Sequence, residues 1–234
     1  MINEEMARDY NDAPTIVAPN ESHMACLFLV DTSGSMSGEP IAQLNEGLRR
    51  FKEQVCEDKT TQKVLDVAIV QFNSTVSMVM PFTPIKFMEH IPLEANGGTN
   101  MGEGLKVAID MIDERYRFYL STGSTPYCPW IVMITDGYPN DPENARALGE
   151  TIHKMDEENK LRLWSLAVDD ADTAFLNELG YGKRVLKLRN YDFTSFFDWV
   201  NKSMRSISVS SPGEAIRPVD LPENVDKAID QNWM

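Results

Sequence analysis

Cysteine, histidine and basic residues are scarce in this sequence. Its three cysteines, Cys26, Cys56 and Cys128, are odd in number and unrelated in spacing. They therefore make neither a disulfide framework nor a zinc pattern, and buried or free thiols in a reducing compartment are the simplest expectation. The three histidines offer little to general base catalysis. His23 precedes the first apolar run, His90 lies near a proline turn and His153 sits in an amphipathic stretch, all places for surface or packing residues. Lysine and arginine number 22 against 36 acids, a net charge of −14. Binding to nucleic acid or to anionic membranes needs basic patches, which so acidic a chain lacks. No stretch approaches the ~20 apolar residues of a membrane span. The acidic start, Met1 to Tyr10, has no apolar signal-peptide core. A cytoplasmic location is expected, with no nucleic-acid or membrane partner.

Apolar residues make up 42% of the 234 residues, enough for one full core. The polar, proline-containing residues 1–22 read as an N-terminal arm, 23–208 as the folded domain and 209–234 as a C-terminal extension. The domain is organised around Ala25 to Phe51. The apolar run Cys26 to Val30 stops at Asp31, and Thr32, Ser33, Gly34 and Ser35 follow. Pro40 suits a first helical turn, and Ile41, Leu44, Leu48, Phe51 and Val55 then recur at helical spacing. This is strand, polar loop, amphipathic helix.

The pattern repeats along the chain. Val64 to Phe72 predicts a strand. A tight turn at Asn73-Ser74 leads to an antiparallel edge strand, Thr75 to Met80, with Val76, Met78 and Met80 on one face and Pro81 and Pro84 ending it. A short helix is expected within 84–91. The loop Asn96-Gly97-Gly98-Thr99 opens a helix with Leu105, Ala108, Ile109, Ile112, Tyr116 and Tyr119 on one face. Pro129 to Thr135 is uniformly apolar, as in a strand buried on both faces, and ends at Asp136. Asp141-Pro142 starts a helix, Leu161 to Val168 a strand, Thr173 to Leu179 a helix and Arg184 to Leu188 a strand. Phe193 to Ile207 forms a last amphipathic helix; its aromatic stripe packs the core, with Trp199 the one member also suited to a partner. The tail holds no apolar helix face, so its removal after Ser210 is expected to be harmless unless Trp233 packs back.

Alternating strands and helices predict an α/β fold: a doubly wound, mostly parallel sheet with one antiparallel edge strand and helices on both faces. If the hairpin and the later strands lie on opposite sides of the first strand, Asp31 and Asp136 flank the topological switch point, where such sheets bind ligands.

Asp31, Ser33 and Ser35 stand at i, i+2 and i+4, a spacing that lets alternate side chains converge. Hard oxygen donors of this kind suit Mg²⁺, Mn²⁺ or Ca²⁺ and suit Zn²⁺ or Cu²⁺ poorly. Each stretch alone also fits a plainer role, as a helix cap or a turn. Together, Asp31-Thr32-Ser33-Gly34-Ser35, Gly97-Gly98-Thr99-Asn100 and Thr135-Asp136-Gly137 resemble the three metal-binding segments of von Willebrand factor A (vWA) domains. The resemblance covers about residues 24–207. It implies a metal-ion-dependent adhesion site at Asp31, Ser33, Ser35, Thr99 and Asp136, with Mg²⁺ the first expectation and Mn²⁺ or Ca²⁺ the alternatives. It also implies a protein partner that supplies an Asp or Glu to the metal. Within the family the chain resembles small bacterial cytoplasmic members of the TerY type. That likeness rests on Asp31 to Pro40, Gly97-Gly98-Thr99 and Phe196-Phe197-Asp198-Trp199, and implies a role in tellurite and chemical-stress resistance beside a kinase and a phosphatase.

The rival class is a metal-dependent hydrolase, a phosphoesterase using the same cation. A haloacid-dehalogenase-type phosphatase needs an acid two residues after its first aspartate, where this chain has Ser33. A hydrolase elbow needs Gly-x-Ser-x-Gly, and Gly34-Ser35-Met36-Ser37-Gly38 has Met36 in the nucleophile's place. No lysine follows Gly97-Gly98-Thr99 as in a phosphate-binding loop. Asp169-Asp170 reads as a strand-end turn rather than a second cation site. The expectation is a binding module without catalytic activity.

Overall fold

The computed structural model describes residues 21–169, 171–213 and 219–228. Most of the N-terminal arm, Asp170 and Trp233 lie outside the described residues. In chain order the elements are β1 (Met24–Asp31), α1 (Glu39–Glu57), the one-turn α2 (Thr61–Val64), β2 (Leu65–Phe72), β3 (Val76–Pro84), α3 (Met101–Ser121), β4 (Trp130–Thr135), α4 (Pro142–Glu157), β5 (Arg162–Val168), α5 (Thr173–Leu179), β6 (Val185–Leu188), α6 (Phe193–Ser208) and β7 (Val225–Lys227).

The strands form one seven-stranded sheet in the order β3-β2-β1-β4-β5-β6-β7. β2, β1, β4, β5 and β6 run parallel. Because successive strand side chains point to opposite faces, an all-apolar strand feeds two cores at once. Cys26, Phe28 and Val30 of β1 join one core with α1 and α6. Ala25, Leu27 and Leu29 join the other with α3, α4 and α5. On the first face the rings of Phe28 and Phe51 meet edge-on at 5.3 Å, and those of Phe28 and Phe197 at 5.4 Å. Helices α1 and α6 approach closely because Gly47 has no side chain; a Cβ there would lie 2.5 Å from Phe197 Cδ2.

Three expectations are corrected. β3 runs through Pro81 to Pro84 rather than stopping at Met80. It is an edge strand, and on its outer side a proline forfeits no ladder bond. Its pairing with β2 shifts register between Val67 and Ile69 and again between Ile69 and Val70; across the second shift Met80 packs with the α1 core while Val76 and Met78 pack with the α3 core. An inserted residue in one strand turns the side chains beyond it to the other face. The short helix expected within 84–91 is only a 3-10 turn, Ile85–Phe87.

The third correction concerns the C-terminal segment. β7 pairs antiparallel with β6, so both edges of the sheet are antiparallel, not one. Trp199 is 2% exposed, which removes it as a partner contact, and its Nε1 donates to the Val219 carbonyl at 3.0 Å. Tyr127 Oη donates to the Ser210 carbonyl at 2.9 Å, and Val225 is buried. Among the described residues after Ser208, β7 thus joins the sheet, and Ser210, Val219 and Val225 help to cover the core.

Candidate metal centre

β1 and β4 are neighbours, with Val30 opposite Ile134. Asp31 and Thr135 therefore emerge side by side at the carboxyl edge, and the strand order reverses between them. The loop before α3 comes over the same edge. It is held there by backbone bonds from Gly34 N to Gly97 O (3.0 Å), Asn96 N to Thr32 O (2.8 Å) and Asn100 N to Asn73 O (2.8 Å).

The five candidate residues meet in this cluster. Asp31 Oδ1 accepts from Ser33 N at 2.8 Å, closing the turn after β1. Ser33 Oγ and Ser35 Oγ lie 3.1 Å apart, and Ser35 Oγ donates to Asp136 Oδ1 at 2.9 Å. Thr99 is reached through Gly137: a Cβ built there would lie 3.8 Å from Thr99 Oγ1 and 4.0 Å from Asp31 Oδ2. The floor is buried, since Asp31, Ser33 and Thr99 are 0%, 2% and 8% exposed. Ser35 is exposed and Asp136 half-buried, so the cluster opens to solvent on that side.

Burial pushes the Asp31 carboxyl up to about 6, against hydrogen bonds from Ser33 and Thr135 that draw it down. Burial also raises Asp136, opposed by the Ser35 hydrogen bond and reinforced by Asp169. Two desolvated carboxylates in one cluster favour a positive charge between them. The donors are carboxylates and hydroxyls; among the described residues no three His, Cys, Asp or Glu side chains cluster as metal ligands. Such a set fits a hard divalent cation better than Zn²⁺.

Residues that sequence reasoning passed over complete the surroundings. Thr135 Oγ1 donates to Asp31 Oδ2 at 2.6 Å and accepts from Gly137 N at 3.2 Å. Its place just before Asp136 was visible, but its partner was not. Asp141 makes no side-chain cap on its own helix, α4. It accepts instead from Gly102 N (3.0 Å) and Glu103 N (3.2 Å) at the start of α3. Neither Asn100, the N-cap of α3, nor Ser33, which leads the 3-10 turn Gly34–Met36, makes a side-chain cap bond. The histidines lie elsewhere: His23 is buried near Asp66, His90 is exposed and His153 stacks on Tyr181.

A family model for the von Willebrand factor type A domain matches residues 26–202. The chain belongs to that family. Calcium-activated chloride channel regulator 1 of Bos taurus is 28% identical over 148 residues, 58% of this chain and 15% of that protein. Inter-alpha-trypsin inhibitor heavy chain H4 of Bos taurus is 24% identical over 212 residues, 82% of this chain and 22% of that protein. This vWA chain thus spans less than a quarter of the length of either relative. A solved von Willebrand factor type A structure from Catenulispora acidiphila superposes with a TM-score of 0.59 at 16% identity, covering 79% of this chain and 43% of that one. At that identity the likeness concerns the fold. vWA domains commonly mediate protein–protein interaction. Among the described residues no helix is long and apolar enough to cross a membrane.

Proposed function

We propose that this vWA domain is a metal-ion-dependent protein-binding module without catalytic activity of its own. Asp31, Ser33, Ser35, Thr99 and Asp136 hold one divalent cation, Mg²⁺ in the first instance. The observation that carries the reading is the convergence of two desolvated carboxylates and three hydroxyls from three loops onto one solvent-facing cluster. The bound cation supplies an electrophilic position that a partner's Asp or Glu can occupy. It also removes the repulsion that an incoming carboxylate meets on a chain of net charge −14.

The finer assignment is a cytoplasmic adaptor in a bacterial tellurite- and stress-resistance system, beside a kinase and a phosphatase. It rests on the resemblance to TerY-type proteins. Phe196, Phe197 and Trp199, part of that resemblance, are buried in α6, so partner choice falls to the loops around the cation.

Calorimetry with Mg²⁺ and with Mn²⁺ should show one shared site that Asp31→Ala and Asp136→Ala each remove. Co-purification from the source cell should recover a partner in Mg²⁺ but not in EDTA, and less of it with Thr99→Ala. Unchanged Mg²⁺ binding in both aspartate variants would refute the site. Equal recovery in EDTA would give the cation a structural role and move partner binding to another face.

A further inference from the structure

The loop from Thr135 to Asp141 touches Asp31, Ser35 and Thr99 of the cation cluster and the start of α3. Thr135 bonds to Asp31, Asp136 accepts from Ser35, and Asp141 caps α3. Between them, Asn140 holds Thr99 in both directions. Thr99 N donates to Asn140 Oδ1 at 2.5 Å, and Asn140 N donates to Thr99 O at 2.9 Å. Gly98 leaves the room for this, since a Cβ there would lie 2.6 Å from Asn140 Oδ1. On the other flank Ser74 completes a vise: its Oγ accepts from Gly98 N at 2.8 Å, and its carbonyl accepts from Asn100 Nδ2 at 2.7 Å.

Asn140 is exposed and belongs to neither apolar core. We infer that Asn140 is a positioning residue for the cation site: through the Thr99 backbone it fixes where the Thr99 hydroxyl points. The inference rests on the reading of the cluster as a divalent-cation centre. A hydroxyl is a weak ligand and contributes only when aimed; productive sites hold their groups to within about 0.5 Å. Asn140 lies four residues after Asp136 on the same loop, so the loop that presents one ligand also aims another. Loss of the Asn140 carboxamide frees the Thr99 N–H and lets the peptide rotate, while the Asn140 backbone bond and the cores stay as they are.

The test is Mg²⁺ calorimetry on the full chain, with metal-free melting temperatures measured alongside. Asn140→Ala should weaken Mg²⁺ by about tenfold, the usual scale for a group that orients a metal ligand. Its metal-free melting temperature should stay close to that of the parent, because the side chain is exposed. Gly98→Ala, which pushes the carboxamide aside from the opposite direction, should weaken Mg²⁺ similarly and serves if Asn140→Ala folds poorly. In a Thr99→Ala background, Asn140→Ala should cost nothing further, because its effect runs through Thr99. Asn140→Ala and Gly98→Ala both binding within twofold of the parent would overturn the inference while leaving the cation site standing. So would effects of Asn140→Ala and Thr99→Ala that multiply in the double variant. Absent Mg²⁺ binding by the parent, or binding indifferent to Asp31→Ala, would instead overturn the cation reading and this inference with it.

Discussion

Removing the Asp66 carboxylate should destabilise the domain heavily without touching the proposed cation site. Asp66 is 1% exposed at the amino end of β2. Its Oδ2 accepts from Arg115 Nη2 at 2.7 Å and from Tyr119 Oη at 2.5 Å, and His23 Nδ1 stands 3.8 Å away. Arg115 is 4% exposed and lies against the rings of Phe118, Tyr119 and Phe82, at 4.8, 5.0 and 5.8 Å from their centroids. In Asp66→Ala the guanidinium keeps its charge in that apolar setting and loses its counter-charge. Breaking a buried pair from one side costs about 3–5 kcal/mol. For a domain of this size each kcal/mol moves the melting temperature by roughly 2–4 °C, so a fall of roughly 6–20 °C is expected. Urea unfolding followed by tryptophan fluorescence reads this directly, because Trp130, Trp164 and Trp199 form one buried cluster with centroids 4.8 to 6.2 Å apart. Adding Arg115→Met removes the stranded charge and should recover most of the loss. Mg²⁺ affinity in the folded range should not change, since the network sits at the opposite end of the strands from the loops. A cost below about 1 kcal/mol would refute the argument. A double variant as unstable as the single one would show that packing volume, not charge, is what Asp66 supplies.

The remaining predictions concern the two ends of the later strands. Ending the chain after Ser210 removes β7, the buried Val225 and the Val219 carbonyl that accepts from Trp199. The expected loss is about 2 kcal/mol: one buried valine and a net hydrogen bond, set against the entropy of ordering the segment. An unchanged melting temperature would mean that the segment covers the core without anchoring it. At Asp156 burial raises the carboxyl, but Lys183, Arg184 and Arg162 together outweigh it and hold the group below its ordinary 3.8. A carboxylate depressed in the folded state stabilises above its unfolded pKa and loses that contribution as pH falls through the folded value. The stability gap between the parent and Asp156→Asn should therefore be full at pH 6 and shrink below about pH 4, where Asp156 protonates in the unfolded chain. A gap that stays constant from pH 6 to pH 2.5 would refute the ion-pair account.

How much of this was legible depends on how far apart the cooperating residues lie in the chain. β1, the loop at Asp31 and α1 could be read directly, because an apolar run that stops at an acid and resumes at helical spacing is a local pattern. The switch point followed from the alternation of strands and helices under right-handed connection. The β3 bulge was not legible, as an extra residue shows only against its partner, here the spacing of Ile69 and Val70 against Met80 and Met78. β7 has three residues and no alternation to recognise; it exists because β6 offers it an edge. Asp141 sits where a cap belongs, and the sequence assigns it to the nearest helix. In three dimensions the α3 start is better placed to use it. Asn140 had no local signal, since its two bonds reach back 41 residues.

The same distinction explains where the domain keeps its polar groups. Each parallel strand has an amino and a carboxyl end, and buried charge occurs at both. At the amino ends Asp66 faces Arg115, and Asp156 faces Arg162, Lys183 and Arg184. Those carboxylates are neutralised by cations of the chain itself, so they are finished structures. At the carboxyl ends Asp31 and Asp136 are desolvated too, yet their hydrogen-bond donors are hydroxyls and backbone N–H groups. Burial raises both groups above their ordinary pKa, and the neutral donors orient the carboxylates without offsetting that burial. Charge left uncancelled at a solvent-facing switch point is what separates this cluster from the ion pairs that only hold the fold. The divalent cation proposed above would balance the two carboxylates together, where each proton would neutralise only one.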